Sequence, residues 1–195
     1  MYCYNGYERR RLIFLKGLFV FSNKMEDVEG LATRALLVRS GLDITTTNLS
    51  ESKRIVTSFG QPIETDTTLD EITPDDYDFL IIPGGPYVKE SVDADTRIKA
   101  LAKDFFTQDK LIAAICAGPR FLGQAGILDE KHYTAFTGSD KDAPKGHYHP
   151  HEKALRDGNI ITARGAGAVY EFAYEIIKAT KGEEAAAALL KQILH

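Results

Sequence analysis

The sequence predicts an α/β fold: an open, mostly parallel sheet with helices on both faces. Two observations carry that expectation. Phe79-Leu-Ile-Ile82 and Leu111-Ile-Ala-Ala-Ile115 are wholly apolar runs, too short for helices and without polar alternation. Such runs read as central strands buried on both faces, which is the habit of parallel sheets. Around them, strand-like runs alternate with segments of helical spacing, and that order asks for crossover connections within one sheet.

The 195 residues are enough for one domain with a sizeable core, and 44% apolar with 27% charged residues is an ordinary globular balance. A net charge of −4 leaves no clustered basic excess for nucleic acid or an anionic membrane. Two cysteines, Cys3 and Cys116, make a disulfide framework improbable and point to a reducing, cytoplasmic compartment. Arg9-Arg-Arg11 before Leu12-Ile-Phe-Leu15 imitates a signal peptide, but Lys16 interrupts the apolar stretch and no small-residue cleavage site follows. The expectation is an N-terminal extension over residues 1–11, mobile and outside the fold, and a single domain over 12–195. No run is long enough to span a bilayer.

Along the chain, residues 12–21 read as the first strand and Met25–Arg39 as a helix closed by Gly41. Glu26 and Glu29 lie three apart in its first turn, so both project from one side. Leu42–Thr47 alternates and is β-branched, as in a strand. Lys53–Thr65 suggests a polar hairpin around Phe59-Gly-Gln-Pro62. The Phe79 strand stops at Pro83-Gly84-Gly85-Pro86, and Ser91–Gln108 reads as a helix with Val92, Ile98, Leu101, Ala102, Phe105 and Phe106 inward. After the Leu111 strand comes a short helix to about Gly123, then a strand at Tyr133–Phe136. Between His147 and Arg164 a hairpin turns at Asp157-Gly-Asn159. Gly165–Lys181 and Glu183–Leu194 close the chain as helices.

In such sheets, sites form beyond the carboxyl ends of strands, where the strand order reverses. Three strand ends carry suggestive residues: Glu26 with Glu29, Gly84 with Gly85, and Cys116. The cysteine sits at a strand-to-helix turn, where helix-opening N–H groups favour a thiolate. Gly84-Gly85 lets backbone approach a substrate, and its N–H groups suit an oxyanion. Each has a plainer reading: a core cysteine, a tight turn, a solvated helical start. Their coincidence at strand ends is what points to a site. His147, His149 and His151 alternate on one face of an extended chain, but Pro150 interrupts them and no carboxylate or cysteine joins them, so no metal site is expected. Arg164-Gly-Ala-Gly167 opens a helix and could hold an anion. Tyr170 occupies the place of a dinucleotide fingerprint's third glycine, and helix–strand packing explains these glycines as well.

Ala113-Ala-Ile-Cys-Ala-Gly-Pro119, Ile81-Ile-Pro-Gly-Gly85, Met25-Glu-Asp-Val-Glu29 and Thr162-Ala-Arg-Gly-Ala-Gly167 together resemble the ThiJ/PfpI family, the DJ-one superfamily, in register from about Leu12 to the C-terminus. The resemblance implies a flavodoxin-like sandwich, similar to class I glutamine amidotransferases, and a homodimer. It implies that Cys116 is the reactive cysteine and Glu29 the protonated carboxyl touching its sulfur. It further implies that the N–H groups of Gly85 and Ala117 form the oxyanion pocket and that Glu26, Gly84 and Arg164 line the site. Where peptidase members carry histidine after the cysteine, Ala117 stands here, which argues against a Cys–His protease. Where others place a histidine opposite the cysteine, Phe136 stands, so an imidazole base is missing. The implied activity is a cofactor-free glyoxalase or deglycase acting on small reactive dicarbonyls such as methylglyoxal. The alternative is a non-catalytic oxidative-stress sensor or redox-regulated chaperone working through oxidation of Cys116.

Overall fold

In a computed structural model of the protein, residues 15–195 are described; the expected 1–11 extension lies outside them. The strands are β1 (Lys16–Phe21), β2 (Asp43–Asn48), β3 (Arg54–Val56), β4 (Pro62–Glu64), β5 (Phe79–Ile82), β6 (Leu111–Ile115), β7 (His132–Tyr133), β8 (His147–Tyr148), β9 (Ala154–Asp157) and β10 (Ile160–Ala163). The α-helices are α1 (Thr33–Arg39), α2 (Pro86–Ser91), α3 (Arg97–Thr107), α4 (Pro119–Gln124), α5 (Val169–Lys181) and α6 (Glu183–Gln192).

Six strands form one sheet in the order β2-β1-β5-β6-β10-β9, parallel throughout except for the β10–β9 edge pair. The chain runs from β1 outward to β2, then crosses to β5 on the other side of β1, so the order reverses between β1 and β5. Every residue of β5 and β10 is buried, as is β6 from Ile112 onward. That double burial explains why these strands show no polar alternation. The β3–β4 hairpin is antiparallel, as the 53–65 segment suggested.

Several boundaries differ from expectation, each for a local reason. The Met25–Arg39 segment becomes helical only at Val28, through a wide π-type turn over Val28–Ala32 that leads into α1. The helix expected over Ser91–Gln108 begins only at Arg97, as α3, and a separate short helix, α2, ends at Ser91. Pro86 opens α2, and before α3 the Asp95 carboxylate accepts the Arg97 N–H at 2.8 Å and pairs with its guanidinium. A carboxylate so placed starts a new helix rather than continuing the old one. Phe106, expected inward, is 36% exposed, while Phe105 beside it is fully buried. Tyr133–Phe136 shortens to β7, which pairs with β8 rather than joining the main sheet. The hairpin turning at Asp157–Asn159 is β9–β10 alone, and His147 lies outside it. Gly165–Ala168 is a tight turn before α5 starts at Val169.

Candidate active site

At the end of β6 the chain turns abruptly. Cys116 has φ +62, in the left-handed region that an L-residue enters at a cost of about 1–2 kcal/mol. Neighbouring chain segments hold it there. The Cys116 N–H donates to the Ala163 carbonyl of β10 at 2.8 Å, and its own carbonyl accepts the Phe136 N–H at 2.8 Å. Gly118 then lets the chain pass close to β5, since a Cβ there would lie 2.6 Å from the Ile82 carbonyl oxygen. The result is a strand–cysteine–helix elbow, similar in geometry to the nucleophile elbow of hydrolases but without their sequence pattern.

Glu29, from the helical segment after β1, reaches across to this elbow. It is 1% exposed, and its Oε2 accepts the Gly84 N–H at 2.9 Å. The Ala166 N–H after β10 and the Cys116 sulfur both lie close enough to the carboxyl to favour its charged form against the cost of burial. Glu26 stands at the mouth, where its Oε2 accepts the Glu29 N–H at 2.7 Å and so caps the turn that carries Glu29. Four strand ends, those of β1, β5, β6 and β10, thus converge on one carboxyl–thiol pair. Gly84 is essential to the convergence: a Cβ there would lie 2.7 Å from both the Cys116 Cβ and Glu29 Oε2. Gly85 has φ +120, and a Cβ on it would strike the backbone of Lys24 and Glu26 at 2.5 Å.

Burial raises the Glu29 carboxyl to about 7, with the nearby Glu26 charge adding to the effect. Burial likewise pushes the Cys116 thiol up, and the Glu29 charge pushes it further when that carboxyl is ionised. The thiolate expected from helix-opening donors is therefore corrected. α4 spans six residues and begins with Pro119, which has no N–H, so the Ala117 N–H is the donor left to favour a thiolate. The two groups instead compete for one proton, and a protonated Glu29 turns from a repelling charge into a donor to the sulfur.

Phe136 is 55% exposed and lines, together with Cys116, both of two neighbouring cavities. One, of about 500 Å³, is lined by Glu26, Glu29, Cys116, Phe136 and Arg164 among others. The other, of about 600 Å³, includes Gly85, Cys116, Ala117 and Phe136. Neither is lined by a histidine. Arg164 donates from Nη1 to the His151 carbonyl at 3.3 Å while lining the first cavity. The alternating histidines do not stay together: His147 and His149 gather around His132, with ring centroids 4.8 and 5.0 Å from it, while His151 lines a separate groove beside α5 and α6. Among the described residues no group of three or more His, Cys, Asp or Glu could hold a metal ion.

Sequence reasoning missed the Ala166 N–H, the lysines and arginine that line the second cavity, and the position of His132 between His147 and His149. Backbone donors leave no trace in residue identity, and His132 precedes the alternating set by fifteen positions.

An open α/β sheet with a carboxyl–cysteine pair at its strand ends defines the class of protein to which this fold and site belong. The chain belongs to the DJ-1/PfpI family, whose model matches residues 16–179. It is 31% identical over 168 residues to the deglycase PfpI of Pyrococcus furiosus, covering 86% of this chain and 100% of that one. It is also 31% identical over 168 residues to the glutathione-independent glyoxalase DJR-1.2 of Caenorhabditis elegans, covering 86% and 89%. The crystal structure of Drosophila melanogaster DJ-1beta superposes with a TM-score of 0.86 at 27% identity, covering 92% and 97%. No helix among the described residues is long and apolar enough to cross a membrane.

Proposed function

We propose that the protein is a cofactor-independent glyoxalase or deglycase that acts on small reactive dicarbonyls such as methylglyoxal, or on their protein adducts, in stress protection. The observation that carries this reading is the Cys116 side chain set beside the buried Glu29 carboxyl at the Gly84 turn, a carboxyl whose pKa is raised to about 7. A group that titrates there can both take and give a proton at neutral pH. The names of the two enzyme relatives support the same chemistry.

The sulfur attacks the aldehyde carbon of methylglyoxal, and the thiol proton passes through Glu29 to the new alkoxide, giving a hemithioacetal. The Gly85 and Ala117 N–H groups stabilise the developing oxyanion. Glu29 then takes the proton from that carbon, and protonation of the neighbouring carbon leaves a lactoyl thioester. Water hydrolyses the thioester, releasing lactate and restoring the thiol. The sum is methylglyoxal plus water to lactate, with no redox partner. Glu26, Gly84 and Arg164 line the site. A homodimer and a cytoplasmic setting belong to the same reading, and Ala117 disfavours a peptidase. The test is lactate formation from methylglyoxal by the purified protein beside Cys116→Ser. No lactate, or full activity in the variant, refutes it.

Phe136 favours a second reading, since it leaves the cavities at the cysteine without an imidazole base. Here peroxide oxidises Cys116 to a sulfinate, one oxygen and one released water per peroxide, and a protonated Glu29 hydrogen-bonds the product. Mass spectrometry after mild peroxide would show a selective gain of two oxygens at Cys116; oxidation spread equally over other residues counts against it.

A further inference from the structure

The two cavities that meet at Cys116 have opposite electrical character. On one side of Phe136 stand Glu26 and Glu29, faced by Arg164. On the other stand Lys89, Arg120 and Lys141 with a single lining carboxylate, Asp93. Arg120 is already balanced, because it is ion-paired with Asp142, and both are largely buried. Asp93 accepts a hydrogen bond from Gln124 at 2.7 Å. Lys89 and Lys141 are exposed, and neither is ion-paired among the described residues. Two unpaired ammonium groups therefore border a cavity of about 600 Å³ that opens onto the sulfur, next to the Gly85 and Ala117 backbone.

We infer that this second cavity takes the negatively charged part of the substrate, so that the preferred substrates are carbonyl compounds bearing an anionic group. This rests on the reading of Cys116 as the reacting thiol. The anionic group lies between Lys89 and Lys141, while the carbonyl carbon stays at the sulfur. The Glu26 side repels the reverse orientation. Lysines suit this role as mobile point charges, without the planar fork that would demand one geometry. Phe136 gives the apolar middle of such a molecule a surface to lie against.

The test is alkylation of Cys116 by iodoacetate, an anion, and by iodoacetamide, its neutral analogue. Each forms an S–CH2 bond, breaks C–I and releases iodide, and the thiol proton goes to buffer. Rates are read at the Cys116 peptide by mass spectrometry, so Cys3 does not interfere. Within one protein the thiolate fraction cancels from the ratio of the two rates. At low salt, Lys89→Glu/Lys141→Glu is expected to lower the iodoacetate-to-iodoacetamide ratio by about fivefold or more. The double variant Lys89→Met/Lys141→Met falls in between. Both lysines are exposed, and unchanged melting temperatures establish that the variants are folded. An unchanged ratio overturns the inference, as does an equal fall in both rates. Because alkylation needs no turnover, a protein inert toward methylglyoxal but showing the fall would refute the proposed activity and leave the anionic cavity standing.

Discussion

Glu29 and Gly84 stand 55 residues apart in the chain, yet the Gly84 N–H donates to Glu29 Oε2 over 2.9 Å in the buried centre of the site. That bond fixes a carboxyl against the cysteine sulfur and leaves no room for a side chain at position 84. Most of what can be tested about this protein follows from it.

Gly84→Ala is expected to damage both activity and stability. The new methyl would sit 2.7 Å from the Cys116 Cβ and Glu29 Oε2, and 2.9 Å from the Ala117 nitrogen. Two of these three neighbours are anchored by backbone or a Cβ, so they cannot swing away. Overpacking of this kind costs about 1–3 kcal/mol. Urea denaturation measures the loss, and an undiminished midpoint would show that the elbow yields more than its geometry suggests.

Glu29 makes stability depend on pH in a stated direction. Its carboxyl titrates near 4.5 when exposed and near 7 in the fold, so between those values the folded chain holds a proton that the unfolded chain has lost. This stabilising contribution is complete below 4.5, declines as pH rises, and is gone above about 7. Its full size is about 3 kcal/mol. Glu29→Gln keeps an acceptor for Gly84 and cannot ionise. Its stability relative to the parent should therefore improve by about 2 kcal/mol between pH 5 and pH 8, and parallel stability curves would contradict that.

The shared proton should also be visible in reactivity. The rate of Cys116 alkylation by iodoacetamide against pH is expected to show two inflections in the parent protein, because the thiol and the Glu29 carboxyl titrate as a pair. Glu29→Gln reduces them to one. Superimposable profiles would mean that the two groups ionise independently.

Turnover of methylglyoxal should fall below detection in Cys116→Ser and by about a hundredfold or more in Glu29→Gln, which cannot carry the proton. Phe136→His restores an imidazole opposite the sulfur and is expected to raise turnover by about tenfold. Steady-state lactate production compares all three. A Phe136→His enzyme no faster than the parent would argue that Glu29 alone suffices as base.

Much was legible in the residues. The apolar runs at Phe79 and Leu111, and the helical stretches after them, carried the parallel sheet. The small residues around Cys116 carried the elbow. Less legible were breaks made by single side chains, such as the Asp95 carboxylate that starts α3 at Arg97. Also hidden were contacts between distant backbone groups, such as the Phe136 N–H on the Cys116 carbonyl.

The sequence by itself determined which residues end the strands: Glu26 and Glu29 after the first, Gly84-Gly85 after the Phe79 run, Cys116 after the Leu111 run. Periodicity and apolar burial are local properties, and residue order carries them. A protonated Glu29 was already implied by the family resemblance, but only the tertiary structure decided the state of the thiol beside it. The sequence-level expectation was a thiolate favoured by helix-opening donors. The fold instead buries Glu29 and the cysteine together, and desolvation raises both groups. Burial depends on what four separate strand ends bring to one point, and no stretch of sequence contains that sum.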